Sequence, residues 1–292
     1  MNTNNLIFCG NTSIDRIITK QKTINVIGGS ACNSAIAAAL SNHQNVSLLS
    51  SIGHDFPIQE IENLRIDTQY IQHHKEASNA FIMDEINNQI SILNPAYLPI
   101  KIPDNLKAEH LHVSCRKGVP FVEAMTKIKA SHYSMDVMWS SLKDFSSDIS
   151  SLLKKVDYLF CNDTEFLMMQ RLGILENLSQ SLGIFMTDKT GVTYRKGKNV
   201  KHFSTIDVNP VVSTVGAGDT FLGAFLASFN KNNLDESVYK ALSMASISIK
   251  GYGNLHLKDK KEEMIKTEEM IRNMDKQHDP RVDFYNRSIV QR

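Results

Sequence analysis

Short apolar runs alternate along the chain with segments whose apolar residues recur at helical spacing. The runs predict strands at Leu6–Cys9, Val46–Ile52, His110–Ser114, Tyr133–Val137, Tyr158–Cys161 and Gly183–Thr187. The helical spacing predicts helices at Ala31–Leu40, Val119–Ala130, Asp148–Lys155, Asp163–Leu172 and Leu175–Leu182. Alternation of this kind is typical of βαβ units, so we expect a mainly parallel sheet with helices on both faces.

Two segments break the alternation and predict β-hairpins. In Ala80–Leu93 two apolar stretches flank Asn87 and Asn88, and in Gly191–Phe203 Gly197 occupies the turn. We expect residues 70–95 to contribute a small β lid. Such a lid leaves an exposed edge strand, so the sequence also allows a homodimer that forms through the lid.

The last part of the chain is predicted to be helical. Helices are expected over Asp219–Phe229 and Leu234–Ile249, and 258–292 is predicted to form a charged helix and tail. Its apolar positions recur at rough helical spacing, at Leu257, Met264, Ile271 and Met274. With no internal repeat and no low-complexity linker, residues 1–292 are expected to form one domain.

Composition narrows the choice of partner and compartment. The 292 residues include 32 basic and 31 acidic side chains, a net charge of +1, which does not favour nucleic acid or an anionic membrane. The N-terminus resembles no signal peptide and no apolar stretch approaches the length of a membrane span, so we expect a cytoplasmic protein. The widely spaced cysteines are expected to be buried free thiols: Cys9, Cys32, Cys115 and Cys161.

The segment Thr214–Asp219 is the strongest candidate for chemistry. Apolar residues suited to a buried helix follow it, which places Gly216, Ala217 and Gly218 at the helix N-terminus. Unpaired N–H groups and the positive end of the helix dipole favour an anion there. Asp219 in the first turn is placed to accept a proton from a hydroxyl. The alternative is an ordinary tight turn that Asp219 caps.

Four motifs, in the expected order, resemble those of the ribokinase-like (PfkB) carbohydrate and nucleoside kinases. They are Gly10–Asp15, Gly28–Ala35 with the strand leading to Asp55, Asn162–Glu165, and Thr214–Asp219. The resemblance covers roughly residues 6–250. It implies a three-layer α/β/α ribokinase-like fold with a mainly parallel central sheet and a small β lid.

The same resemblance implies a phosphoryl transfer from ATP to a hydroxyl of a sugar or nucleoside. Asp219 would be the base, with the N–H groups of Gly216, Ala217 and Gly218 as the anion hole. Asn162 and Glu165 would organise Mg²⁺ through waters. The residues implied at the acceptor are Asp15, Gly28, Gly29 and Asn33, and those at ATP are Thr187, Lys189 and Thr214. Asp15 as a turn cap and Lys189 as a solvated loop residue stay open as alternatives.

The chain departs from the family pattern in three places. Ser213 replaces an aspartate that helps form a monovalent-cation site in many members, so potassium activation is in doubt. The loop Thr187–Gly191 is shortened, and the residues after Asp136 lack the usual Asn and Arg. Ser213 and the shortened loop motivate an alternative, a sugar- or nucleoside-binding sensor with weak catalysis, and the residues after Asp136 indicate an atypical acceptor. The N-terminal half has no cluster of basic residues for a substrate phosphate, which favours a neutral acceptor.

Two further signals are interpreted as structural. His110, His112 and Cys115 could suggest a metal site, but no further ligand of convincing spacing follows, so a half-buried strand is expected. The aromatic residues Phe221 and Phe225 are expected to pack in the core.

Overall fold

The computed structural model describes residues 5–275, apart from 42, 85–88, 95, 96, 177 and 231. The strands are β1 (Leu6–Cys9), β2 (Ser13–Ile18), β3 (Thr23–Gly28), β4 (Val46–Ile52), β5 (Ile71–His73), β6 (Ala80–Asp84), β7 (Gln89–Asn94), β8 (Lys107–Cys115), β9 (Lys129–Val137), β10 (Tyr158–Asn162), β11 (Gly183–Asp188), β12 (Gly191–Lys196) and β13 (Asn199–Ser204). The helices are α1 (Ser30–Leu40), α2 (Ile58–Glu62), α3 (Phe121–Lys127), α4 (Trp139–Leu142), α5 (Ser146–Leu152), α6 (Asp163–Arg171), α7 (Ala217–Ser228), α8 (Leu234–Ser248) and α9 (Lys261–Asp275), with a 3₁₀ helix at Leu255–Asp259.

A nine-stranded sheet in the order β13-β12-β11-β10-β9-β8-β1-β4-β5 forms the centre of the described structure. Pairing is parallel from β11 to β5, and antiparallel along the two hairpin strands β12 and β13. Strands β1 and β4 are buried along their whole length. Such strands need apolar or small residues on both sides, which is why they appear in the sequence as continuous runs.

Successive residues of β1 point to the two faces of this sheet. Phe8 packs with α1, α7 and α8 on one face, while Ile7 packs with α3, α5 and α6 on the other. The rings of Phe185 and Phe225 lie 4.4 Å apart on the first face, as expected for core aromatics. The α/β/α layering predicted from the sequence is confirmed.

A second, four-stranded sheet has the order β3-β2-β6-β7. Strands β6 and β7 are the predicted hairpin, whose turn at Asn87 and Asn88 lies outside the described residues. Sequence analysis missed β2 and β3, because the polar Ser13 and Asp15 occupy buried positions of β2, so its apolar residues do not alternate as in a half-buried strand. Strand β2 joins the small sheet by pairing in parallel with β6, Arg16 opposite Ile82.

Two predicted helices need correction. The chain forms turns at the described residues of 175–182 in place of a helix, and the hydroxyl of Ser179 accepts a hydrogen bond from Ser181 N at 3.1 Å. The helix predicted at Val119–Ala130 spans only Phe121–Lys127, because β9 begins at Lys129. The hairpin at Gly191–Phe203 is present as β12 and β13.

The predictions for the charged C-terminal helix and for the four cysteines agree with the structure. Helix α9 buries Ile271, and the tail predicted beyond it, from residue 276, lies outside the described residues. All four cysteines are buried free thiols. Across the described ranges, no helix combines the length and apolar character that crossing a membrane requires.

Candidate active site

The carboxyl ends of β8, β9 and β10 meet the N-terminus of α7 at one edge of the central sheet. This edge is where ligands bind in open parallel sheets. A cavity of about 160 Å³ lies there. Its walls are Arg116, Asp136, Val137, Phe160, Cys161, Asn162, Glu165, Thr187, Gly216, Gly218, Asp219, Phe221 and Leu222.

The predicted anion hole forms the start of α7. Gly216 is the N-cap residue with φ +79°, a left-handed conformation that glycine adopts without strain. Gly216 and Gly218 line the cavity, whereas the N–H of Ala217 donates to Thr214 O at 3.3 Å. N–H groups in the first turn of a helix have no partner within the helix, so those of Gly218 and Asp219 are suited to an anion.

Asp219 is fixed by contacts from two neighbouring elements. Asn33 Nδ2 in α1 donates to its Oδ2 at 3.1 Å, and Arg116 Nη2 lies 3.8 Å from its Oδ1. Burial raises the pKa of the Asp219 carboxyl above the usual aspartate value, although the Arg116 cation opposes this effect. The carboxylate is therefore a stronger base than an exposed aspartate.

Arg116 is a site residue that sequence analysis missed. Its Nη2 donates to Asp136 Oδ2 at 2.8 Å and its Nε donates to Ser30 Oγ at 2.7 Å. Burial disfavours the cation, but the carboxylates of Asp136 and Asp219 outweigh burial and raise the pKa of Arg116. A basic residue directly after the apolar end of a parallel strand is the signal that could have identified it.

His112 was interpreted as a residue of a half-buried strand, but it is fully buried and bonded to the site. Its Nε2 lies 3.1 Å from Asp136 Oδ1, and its Nδ1 lies 2.9 Å from Ser134 Oγ. Among the described residues, no group of three or more His, Cys, Asp or Glu side chains is arranged to hold a metal ion.

The residues predicted to bind the acceptor lie beside Asp219. Asp15 is 4% exposed, and a Cβ on Gly28 would overlap its Oδ2, so a larger residue at position 28 would have to displace the Asp15 carboxylate. Gly29 is the N-cap of α1, the helix that carries Asn33. The Oδ1 atoms of Asp15 and Asn33 are buried and have no hydrogen-bond partner among the described residues. Burial raises the pKa of Asp15 to about 6. None of these four residues lines the cavity, so the two unpartnered oxygens would accept hydrogen bonds only from a ligand that reaches beyond it.

Asn162 and Glu165 form a capping box at the start of α6. Asn162 Oδ1 accepts from Glu165 N at 2.8 Å, and Glu165 Oε2 accepts from Asn162 N at 2.9 Å. Trp139 N donates to the other carboxylate oxygen at 3.2 Å. Burial raises the pKa of Glu165 to about 7. Both side chains line the cavity with oxygens that already accept backbone hydrogen bonds, which favours contact with a hydrated ion over direct ligation.

The residues predicted at ATP are only partly brought together. Thr187 lines the cavity, but Lys189 is exposed in the turn between β11 and β12 and Thr214 is exposed before α7, and neither is among the lining residues. Ser213, where the resemblance implies an aspartate, is buried, and its Oγ accepts from Val215 N at 3.4 Å.

Comparison with known proteins decides the family. The model of the pfkB family carbohydrate kinases matches residues 4–260. The chain belongs to the pfkB family of carbohydrate kinases. The family resemblance inferred from the four motifs is therefore confirmed, and this pfkB family member is a sugar or nucleoside kinase.

Relatives of this pfkB family member act on both classes of acceptor. It is similar to a cytidine kinase from Thermococcus kodakarensis (23% identity over 279 residues, 85% of this chain and 97% of the relative). It is also similar to a ribokinase from Staphylococcus aureus (23% over 294 residues, 86% and 95%). The structure of an aminoimidazole riboside kinase from Salmonella enterica, complexed with aminoimidazole riboside and an ATP analogue, superposes with a TM-score of 0.75 (16% identity, 91% and 100%). The fold is thus that of the ribokinase-like kinases.

Proposed function

We propose that the protein transfers the γ-phosphoryl group of ATP to a hydroxyl of a neutral sugar or nucleoside. The observation that carries this proposal is the position of Asp219. Its carboxylate lies in the first turn of α7 and accepts from Asn33, a residue of the helix α1 that begins directly after Gly28 and Gly29. One carboxylate thus lies between a helix N-terminus suited to a phosphoryl group and a polar region suited to hydroxyls. ATP is the donor by analogy with the related kinase that was solved with an ATP analogue.

In the proposed reaction the acceptor hydroxyl loses its proton to Asp219 while its oxygen forms a bond to the γ-phosphorus. The bond from that phosphorus to the β–γ bridging oxygen breaks, and the electron pair leaves with ADP. The N–H groups of Gly218 and Asp219 donate to the transferred group, whose charge is spread over its equatorial oxygens. Phosphoryl transfer needs positioning and charge neutralisation more than covalent participation, and both are available in this arrangement.

Mg²⁺ would be held near Asn162 and Glu165 through its water shell, since both side chains already accept backbone hydrogen bonds. When bound, the ion would neutralise charge on the phosphates. Thr187 would face the phosphates across the same cavity.

The acceptor region supports a ligand rich in hydroxyl groups. Unpartnered buried oxygens of Asp15 and Asn33 require hydrogen-bond donors, and a sugar or ribosyl hydroxyl supplies them. Across the described structure, Arg116 is the one basic side chain that lines the cavity, so a phosphate on the acceptor would find no second cation besides the one next to Asp219. We therefore propose that the acceptor is neutral.

The proposal predicts acceptor-dependent consumption of ATP. Ribose, fructose, cytidine and aminoimidazole riboside are tested as acceptors with Mg²⁺ and ATP, and ADP release is measured with a coupled assay. At least one acceptor is expected to raise ADP release tenfold or more over the rate without acceptor. A ligand that shifts the melting temperature while no acceptor raises ADP release would favour a binding-only sensor.

Protonation of Asp15 is expected to weaken acceptor binding at acidic pH. Because burial raises its pKa to about 6, the carboxylate is charged above that pH. Below that pH it is protonated, and one of its oxygens becomes a hydrogen-bond donor in place of an acceptor. The KM for the acceptor should therefore rise several-fold between pH 7.5 and pH 5. The Asp15→Asn variant should show a high KM that no longer varies with pH. A wild-type KM that stays flat over this interval would contradict the assignment of Asp15.

A further inference from the structure

Arg116 lies beside Asp219 in the cavity, but the proton transfer to Asp219 and the change of bonds at phosphorus do not involve it. It directly follows the last residue of β8, and its side chain lines the cavity together with Gly216, Gly218 and Asp219. Its side chain is 19% exposed, so it is largely shielded from water but still open to the cavity. A buried cation is costly unless charges and hydrogen bonds compensate it, so its position needs an explanation.

Two hydrogen bonds hold the guanidinium in place without using it up. Nε donates to Ser30 Oγ at 2.7 Å, and Ser30 Oγ also contacts Ser114 Oγ at 2.9 Å. Nη2 donates to Asp136 Oδ2 at 2.8 Å. A guanidinium has five N–H donors in a planar fork, so further donors remain for an anion that enters the cavity.

Asp136 is itself anchored from behind. His112, fully buried on β8, lies 3.1 Å from its second oxygen, and Ser134 on β9 holds the other ring nitrogen of His112 at 2.9 Å. Burial alone would raise the pKa of Asp136, but Arg116 and His112 outweigh it and keep the pKa below the usual value. The carboxylate therefore stays ionised, and Arg116 is held by a rigid partner on the neighbouring strand.

The charge around Asp219 explains why a cation is needed here. A negatively charged phosphoryl group that approaches the N-terminus of α7 also approaches the carboxylate of Asp219, and like charges repel in a water-poor cavity. Arg116 Nη2 lies 3.8 Å from Asp219 Oδ1, a distance too long for a hydrogen bond. The guanidinium is thus beside the base without being paired to it as closely as to Asp136.

We propose that Arg116 is a catalytic residue that donates hydrogen bonds to the transferred phosphoryl group, with Asp136 and His112 as the positioning residues that aim it. This inference rests on the proposed function and adds a cation to it. The proton still goes to Asp219, and the same phosphorus–oxygen bonds form and break. Arg116 neither gains nor loses an atom in the transfer. Its donors contribute most when charge builds on the phosphoryl oxygens, so the effect belongs to kcat more than to KM.

The test compares Arg116→Ala with Arg171→Ala, a matched change of an exposed arginine in α6. On the best acceptor of the panel, Arg116→Ala is expected to lower kcat by about 10³-fold, within the range known for transition-state arginines. The KM values for ATP and acceptor should change by less than about threefold, and Arg171→Ala should leave all constants unchanged. Guanidinium chloride at low millimolar concentration should restore kcat of Arg116→Ala at least tenfold, which a merely structural arginine would not show.

Two further variants distinguish the effect of the orientation of the Arg116 guanidinium from the effect of its charge. Arg116→Lys retains the charge but cannot bond Ser30 and Asp136 while it faces the cavity, so an intermediate kcat is expected. Asp136→Asn should lower kcat by about 10- to 100-fold, and combining it with Arg116→Ala should cost little more than Arg116→Ala alone. Circular dichroism spectra equal to that of the wild type and cooperative thermal transitions above the assay temperature establish that these variants fold.

The outcomes distinguish this inference from the proposed function. Absence of acceptor-dependent ADP release by the wild type argues against the proposed function itself. A kcat of Arg116→Ala within threefold of the wild type, or a loss that guanidinium does not restore, overturns the inference and leaves a structural ion pair. Calorimetry with ADP and aluminium fluoride needs no turnover. The wild type should bind this mixture at least tenfold more tightly than ADP alone, and equal tightening in Arg116→Ala would also overturn the inference.

Discussion

The Asp219→Asn variant is expected to lose about 10³-fold in kcat with the acceptor that the wild type prefers. The amide has nearly the same shape as the carboxylate and can still accept from Asn33 Nδ2, so the geometry of the site should persist. It cannot take the acceptor proton, and a positioned general base contributes about 10²- to 10⁴-fold. The measurement is steady-state ADP release at saturating ATP and acceptor.

Asp148→Asn provides the matched control for this variant. Asp148 also lies in the first turn of a helix, α5, but is exposed and is not among the residues that line the cavity. Its kcat should equal that of the wild type. Melting temperature should not fall in Asp219→Asn, because burial already disfavours the charged carboxylate. Turnover within tenfold of the wild type would show that Asp219 is not the base.

Those parts of the site that are encoded by neighbouring residues could be predicted from the sequence. Gly216, Gly218 and Asp219 follow one another at the start of an apolar helix, so their spacing alone places them at its N-terminus. The engagement of the Ala217 N–H by Thr214 O could not be foreseen, because it depends on the backbone path into α7. Local pattern thus predicts where an anion would bind, but not which amides would hold it.

The contact between Arg116 and Asp136 could not be predicted from the sequence pattern. Strands β8 and β9 pair with Ser114 opposite Asp136, which brings the arginine after β8 next to the aspartate on β9. Twenty residues separate these two side chains in the chain, and no local spacing records their pairing. The same holds for His112, whose role depends on Asp136 across the sheet. Strands β2 and β3 were missed for a different reason, since the polar Ser13 and Asp15 occupy buried positions of β2.

The small residues of α1 and α7 explain how Asn33 reaches Asp219. The two helices pack so closely that a Cβ on Gly223 of α7 would overlap the backbone oxygen of Ser34 in α1. The hydroxyl of Ser34 also donates to the backbone oxygen of Asp219 at 3.1 Å. Close packing therefore sets the distance between Asn33 on α1 and Asp219 on α7.

Two alanine substitutions in α7 should separate stability from catalysis. Gly223→Ala is expected to destabilise the protein by about 2–3 kcal/mol, because the added methyl group must push two buried helices apart. Gly218→Ala should cost no stability. The nearest side-chain atom to a Cβ there is Thr187 Oγ1 at 3.9 Å, and alanine favours the helix by about 1 kcal/mol over glycine.

The activities of the two variants should show the opposite order. The methyl group of Gly218→Ala enters the cavity where the phosphoryl group is proposed to bind, so kcat should fall at least tenfold while the urea midpoint is unchanged or higher. Gly223→Ala should have the lower urea midpoint of the two variants, and because its methyl group lies outside the cavity, its folded fraction should lose less kcat than Gly218→Ala. If both variants lose stability and keep their activity, the start of α7 is not the phosphoryl site. The cavity wall at Gly218 would then be structural, and the proposed route of transfer would have to lie elsewhere in the cavity.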